Sequence, residues 1–220
     1  MTENSQLKRL NVGCGDVPTI GWVNYDNSLT VRLAAWPSVV KLMVSFGLLS
    51  PKQQGFISVV RQDGVKYADA VNRIPEADNS VEVLYTCHML EHLERGEAKR
   101  FLQEVRRVLA PGGIVRIAVP DLHFHAENYL KDSNADAFVE NLFMASPKVV
   151  GWFGKLKYLL VGERHHLWMY DGESLCRLLA DAGFKQPQIL EAGTTTIPNP
   201  GKLDLAERAP ESVFVEAINL

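Results

Sequence analysis

The chain has 220 residues, 46% of them hydrophobic and 22% charged, with 23 Lys and Arg against 26 Asp and Glu for a formal net charge of −3. This is the composition of a folded chain with material for a substantial core, sized for one domain, 1–220, with room for insertions. The acidic balance argues against a nucleic-acid partner, whose footprint is a basic surplus. Three scattered cysteines, Cys14, Cys87 and Cys176, lack metal-ligand spacing and fit a reducing, cytoplasmic setting. MTENSQLKRL has no apolar core of a signal peptide. Leu33–Leu49 and Val149–Val161 are interrupted before either reaches the length of a membrane span.

Lys8 to Asp26, KRLNVGCGDVPTIGWVNYD, reads as a short buried strand over 8–12, a glycine turn, and a second strand over 22–26 ending in a carboxylate. An apolar strand, a glycine turn and an acid closing the next strand are how nucleoside cofactors are held on parallel sheets. Residues 28–62 break the strand–helix alternation with one or two short helices rich in Trp36, Leu42, Met43, Phe46 and Leu49, read as a helical cap or a lid. Val65–Ala68 is strand-like and leads to Asp69, followed by a polar turn through Ser80.

Val81–Thr86 predicts a strand, with CHMLEH at its C-terminal end. Glu94–Leu109 predicts a helix: Phe101, Leu102, Val105, Val108 and Leu109 recur at helical spacing, Arg100, Arg106 and Arg107 are expected to face out, and Pro111-Gly112-Gly113 stops it. Ile114–Val119 is an apolar strand ending at Pro120-Asp121. Residues 122–162 read as mostly helical and as a second lid or insertion. Asp171 caps a helix through Ala182, Gly183 closes it, and Pro187–Ala192 and Ser212–Asn219 are the last strands. The alternation predicts an α/β fold on a mainly parallel sheet.

Ligands on such sheets lie beyond the strand C-termini. There the chain places Gly13-Cys14-Gly15, Asp26, Asp69, Cys87-His88 and Pro120-Asp121 in turn. Gly13 and Gly15 let backbone approach a ligand, since a Cβ would obstruct it. Asp26 can accept from both ribose hydroxyls, Asp69 from an adenine amine, and the Ala70 N–H can bond a ring nitrogen. The pattern asks for adenosine without asking for a phosphate.

LNVGCGD, VNYD, ADAVNRIPEADNSVEVLYTCHMLEHL and EVRRVLAPGGIVRIAVPD together resemble the class I S-adenosylmethionine-dependent methyltransferases. More narrowly, they are similar to a small bacterial branch found among polysaccharide-biosynthesis enzymes. The resemblance covers Lys8–Asp26 and Val65–Asp121 well. It implies a Rossmann-like seven-stranded sheet, mainly parallel with one antiparallel strand, and helices on both faces. It also implies S-adenosylmethionine as cofactor with S-adenosylhomocysteine as product, and a small-molecule or saccharide acceptor. By the same resemblance Gly13, Cys14 and Gly15 wrap the methionine moiety, and Asn11 stands where most members carry an acid. Asp26 is the ribose acid, Asp69 the adenine acid, and His88 borders the sulfonium and the acceptor.

Three other readings use the same residues. His88 to His92 spells HxxEH, a zinc motif in which both histidines on one helix face would hold a metal with Glu91 as base. A nicotinamide dehydrogenase would need a third glycine, and Pro18 stands in its place. A cofactor- or partner-binding domain without turnover would keep the same strand ends. The methyltransferase reading expects no metal. An oxygen acceptor needs a base, and histidine suits that near neutral pH. His88 at its strand end and His166, in HLWMYD, which matches a position facing the acceptor in that branch, are the candidate catalytic residues. His92, His123, His125 and His165 compete with them, and Asp121 is an alternative base. VVGWFGKLKYLLVG (149–162) could touch a membrane surface weakly.

Overall fold

The computed structural model describes residues 7–144 and 165–220. Its strands are β1 (Lys8–Val12), β2 (Val23–Asp26), β3 (Lys66–Tyr67), β4 (Val81–Cys87), β5 (Leu109–Pro120), β6 (Lys185–Leu190) and β7 (Ser212–Ile218). The helices are α1 (Leu29–Ala34), α2 (Pro37–Ser45), α3 (Pro51–Asp63), α4 (Arg95–Val108), α5 (Leu122–Asp132), α6 (Ala135–Asn141) and α7 (Gly172–Asp181), with a 3-10 turn at Leu90–His92. The strands form one seven-stranded sheet in the order β3-β2-β1-β4-β5-β7-β6. β7 runs antiparallel to both neighbours, and the other pairs are parallel. This is the mainly parallel α/β sheet that the alternation anticipates and the Rossmann-like, seven-stranded form that the resemblance implies. Strand order reverses between β1 and β4, the place where open parallel sheets bind ligands.

β1 and β2 are parallel neighbours joined by only Gly13–Trp22, with no crossover helix. Parallel pairs ordinarily need a longer helical connection. Two buried asparagines, partners across the strand pair, take over that role. Asn24 Oδ1 accepts from Thr19 N–H at 2.8 Å, and Asn24 Nδ2 donates to the carbonyls of Thr19 and Trp22, both at 3.1 Å. Asn11 Nδ2 donates to Thr19 Oγ1 at 3.0 Å. The loop is thus bonded to the strands from below.

The main core packs Leu10, Val12, Leu84, Val115 and Ile117 of the sheet against α4 and α7. Glu94 and Glu97 form a capping box at the start of α4, and Ala98, Phe101, Leu102, Val105 and Val108 make its buried stripe. Two arginines expected in solvent are tied down instead. Arg107 donates to Asp78, Glu104 and the carbonyls of Ile74 and Glu76, and Arg106 to the Ala182 carbonyl. The last turn of α4 lies against the 74–80 turn, whose carbonyls need donors. β5 also starts at Leu109 rather than at Ile114, because Pro111-Gly112-Gly113 is absorbed as a bulge: β4 pairing jumps from Val81↔Leu109 to Val83↔Ile114.

Residues 28–62 form three helices rather than one or two, around a second cluster of Cys14, Val31, Ala34, Val40, Leu49, Ile57 and Val60. A Ser50–Gln53 capping box starts α3, and left-handed Gly64 ends it. Trp36, Leu42, Phe46 and Leu48 stay exposed around α2. Among the described residues no helix is long and apolar enough to cross a membrane. The 149–162 segment lies outside the described residues.

On the other face of the sheet, Tyr85, Ala118 and Phe214 are covered by Ile197 and Leu203. Arg116 and Glu216, opposite each other on β5 and β7, hold that covering segment. Their side chains are 0% and 1% exposed and 2.6 Å apart. Arg116 also donates to the carbonyls of Thr194 and Leu205, while Glu216 accepts from the Thr196 N–H and the Thr195 hydroxyl. Removing one partner leaves the other charge buried and unpaired. Arg116→Ala is therefore expected to destabilise the fold by about 3–5 kcal/mol, seen as a lower urea midpoint at unchanged slope. The Arg116→Met/Glu216→Leu double variant is expected to recover part of that loss.

Candidate active site

The glycine turn and the first acid meet directly. Gly13 and Gly15 have φ of +73° and +51°, in the left-handed region that glycine enters without cost. Gly13 and Cys14 N–H donate to the Tyr25 carbonyl at 2.8 and 3.1 Å, which seats the turn on the end of β2. The Gly15 N–H then donates to Asp26 Oδ2 at 3.2 Å, and the Ser28 N–H to Asp26 Oδ1 at 2.7 Å. The Ala68 N–H donates to the Asp26 carbonyl, so the chain entering Asp69 is fastened to the same strand end. Asp69 Oδ2 accepts from the Asn72 side chain at 2.6 Å, and the Ala70 methyl lies in the main core. Gly13, Gly15, Asp26 and Asp69 thus line up at the C-terminal ends of β1, β2 and β3.

Two further residues expected in the site are also engaged by the core and the loop. The Cys14 thiol points into the α1–α3 cluster, where burial, then Asp26, holds it protonated, so only its backbone faces the turn. Asn11 spends its amide N–H on Thr19 and Val17 in the loop. Its Oδ1 is buried without a hydrogen-bond partner among the described residues.

The other half of the site grows from the end of β4. His88 has φ +50°, a left-handed conformation that costs a non-glycine residue about 1–3 kcal/mol and recurs at functional sites. Its N–H donates to the Ala118 carbonyl. Its Nε2 lies 2.8 Å from Ser212 Oγ, a hydroxyl that itself donates to the Arg208 carbonyl, so Nε2 carries the proton. The other ring nitrogen, Nδ1, lies 3.7 Å from Glu91 Oε1.

His166 arrives from far along the chain at the same carboxyl. Leu167 and Trp168 N–H both donate to the Glu91 carbonyl, at 2.8 and 3.1 Å, and press the segment onto the 3-10 turn. This leaves His166 Nε2 and His92 Nε2 each 3.8 Å from Glu91 Oε1. Burial pushes the Glu91 carboxyl up to about 8 and the His88 and His166 imidazoles down to about 3 and about 4. With these shifts Glu91, His88 and His166 stand together as neutral groups rather than as ion pairs.

The structure therefore brings together His88 and His166, as singled out, and adds Glu91 and His92. Sequence reasoning saw Glu91 only as the base of a helical zinc motif; the chain there is a single 3-10 turn, and Glu91 points inward, not outward. Its apolar neighbours Leu90 and Leu93, both buried, were the available signal. His123 is exposed and contacts Glu127, and Asp121 caps α5 by accepting from the His123 N–H. Neither joins the cluster.

A family model described as a methyltransferase domain matches residues 24–188, from β2 into β6. The chain belongs to the methyltransferase-domain family. Solved structures share the fold. One is a SAM-dependent methyltransferase, possible histamine N-methyltransferase, from Thermotoga maritima, 14% identical over 98% of this chain and 83% of that one at a TM-score of 0.50. Another, a SAM-dependent methyltransferase from Methanosarcina mazei, is 18% identical over 99% and 94% at the same TM-score. At such identities the likeness speaks for the fold. No curated protein sequence matches the chain.

The two glycines of this methyltransferase domain differ in what they tolerate. A Cβ on Gly13 would stand 2.6 Å from Met89 Cγ, whereas one on Gly15 would meet nothing within 4 Å. Both substitutions carry the backbone cost of a positive φ. Gly15→Ala is expected to lower stability by about 1–3 kcal/mol. Gly13→Ala should lower it further, because Met89, the neighbour of His88, must move. Thermal midpoints of the two variants measure the difference.

Proposed function

We propose that the protein transfers a methyl group from S-adenosylmethionine to a hydroxyl of a small molecule or saccharide, with histidine-assisted deprotonation at His88 and His166. The observation that carries this reading is the direct bond from the Gly15 N–H to Asp26 at the ends of β1 and β2. It sets a glycine turn, open where a Gly15 Cβ would stand, beside an acid whose two oxygens are oriented by the Gly15 and Ser28 N–H groups. That cradle fits an adenosyl group. Asp26 suits a ribose diol and Asp69 an exocyclic amine, and Thr86 Oγ1, buried without a hydrogen-bond partner among the described residues, lies 3.8 Å from the position of a Gly13 Cβ.

In this reading the cofactor supplies an electrophilic methyl on a sulfonium. The chain supplies alignment and proton transfer. Gly13 to Gly15 hold the methionine end by backbone, and Asp26 and Asp69 fix the nucleoside, so the acceptor side is left to β4, the 165–168 segment and the start of β7. His88 and His166, kept neutral by burial, each retain a lone pair for the acceptor's proton. The same burial makes them weak bases, so a further group has to ease the acceptor's ionisation. Within one domain, residues 28–62 are proposed as a cover over this side; the second expected cover, 122–162, lies partly outside the described residues. Trp36, Leu42, Phe46 and Leu48 are exposed apolar area that a closing segment would bury.

Calorimetric titration with S-adenosylhomocysteine tests the cofactor half: binding is expected in the wild type and at least about tenfold weaker in Asp26→Ala, which loses a charge-assisted acceptor. No binding in the wild type would end the reading. Product assays with sugar nucleotides and saccharides test turnover and separate an enzyme from a binding module. In these, His88→Ala and His166→Ala should each lower turnover at least about tenfold with S-adenosylhomocysteine affinity little changed. Unaffected turnover in both removes histidine from the chemistry.

A further inference from the structure

Glu91, His92 and His166 enclose a gap with the size and donor character of a metal site. Glu91 Oε1 stands 3.8 Å from His92 Nε2 and 3.8 Å from His166 Nε2. The ligand atoms of the three residues lie within 4.8 Å of one another. The two 3.8 Å separations are too long for hydrogen bonds. They lie close to the edges of a tetrahedron around an ion with bonds of about 2.0–2.2 Å, which are roughly 3.3–3.6 Å.

Two independent features point the same way. The Glu91 side chain is 1% exposed, and neither carboxyl oxygen has a hydrogen-bond partner among the described residues. Burying a carboxyl in that condition is costly unless something else compensates it. His92 Nδ1 lies 3.1 Å from the His165 carbonyl, which can only accept. Nδ1 therefore carries the proton, and the nitrogen turned toward Glu91 is the one with the lone pair. That orientation, with Nε2 rather than N–H turned toward Glu91, is the one a metal-bound imidazole takes. A backbone carbonyl behind the ring is the support that orients metal-binding histidines. The Leu167 and Trp168 N–H bonds to the Glu91 carbonyl, and that of His166 to the Phe143 carbonyl, hold the third ligand in place.

We infer that Glu91, His92 and His166 bind one divalent first-row transition ion, of the zinc type. Two imidazoles and one carboxylate suit such an ion, whereas magnesium takes oxygen ligands. Three protein ligands leave a position open for a small molecule. The catalytic consequence alone rests on the methyl-transfer reading: the open position takes the acceptor hydroxyl and lowers its pKa. His166 is then a ligand. His88, outside the three with Nδ1 toward Glu91, takes the proton as the acceptor O–H bond breaks, the O–CH3 bond forms and the sulfonium becomes a neutral thioether.

The test uses the full chain freed of metal with a chelator and titrated with Zn2+ or Co2+ alone, followed by calorimetry and by Co2+ visible absorption. Uptake of one ion per chain is expected, with the intense bands of a four- or five-coordinate site. Glu91→Gln and His166→Ala should weaken binding at least about 100-fold, more than loss of a supporting hydrogen bond gives. His123→Ala, on the exposed face of α5, should leave it unchanged. No uptake by the wild type, or equal uptake in both ligand variants, overturns the site. If a variant fails to fold by circular dichroism, the wild-type Co2+ spectrum decides, and the weak bands of an octahedral all-oxygen ion overturn it. Metal uptake without S-adenosylhomocysteine binding keeps the site and removes methyl transfer. Cofactor binding without metal uptake does the reverse.

Discussion

Two parallel strands that adjoin without a crossover helix are the constraint on which the site depends. The ten residues from Gly13 to Trp22 must leave β1, turn and rejoin the sheet at β2. Without a helix to satisfy their backbone, buried polar side chains have to do it. Asn24 and Asn11 meet that need from adjacent strands and fix Thr19 at the loop's turning point. Because the loop is held there, Gly13 and Cys14 can reach the Tyr25 carbonyl and Gly15 can reach Asp26. The presence of an asparagine at position 11 is thereby explained by packing: its amide donates to the loop, which a carboxylate cannot do.

A second constraint organises the far side of the switch point. Glu91 is buried, and its backbone carbonyl rather than its side chain receives the returning 167–168 segment. The carbonyl acts as the fastening, so the carboxyl is left facing imidazoles from two parts of the chain. Met89 links the halves, since it packs where a Gly13 side chain would otherwise be. A shift of the glycine turn is therefore felt at the residue next to His88.

Much of the frame was legible because it follows from periodicity. The strands over 8–12 and 81–86, the α4 stripe, the Asp171 cap and the glycine turn with Asp26 each announce themselves in a few residues. What was not legible depends on partners distant in sequence. Arg106 and Arg107 look like surface residues on a helical wheel, and only the approach of the 74–80 turn and of Ala182 removes them from solvent. Pro111-Gly112-Gly113 looks like a stop because a bulge paired on a neighbouring strand cannot be read from one strand alone. Glu91 and His166 are 75 residues apart in number, and no local pattern joins them.

In the proposed function the two halves of the site do different work through different chemistry. On the β1–β3 side nearly every contact offered is backbone or carboxylate, which suits a ligand that is always the same and must be held rather than changed. On the β4–β7 side the offered groups are the neutral imidazoles of His88 and His166 and a neutral carboxyl whose oxygens have no hydrogen-bond partner among the described residues. Such a cluster stabilises nothing by itself; its burial costs free energy that the apolar core has to offset. Polar groups kept together at that cost are poised to receive a charge, whether a proton from an acceptor or a cation that draws the acceptor in.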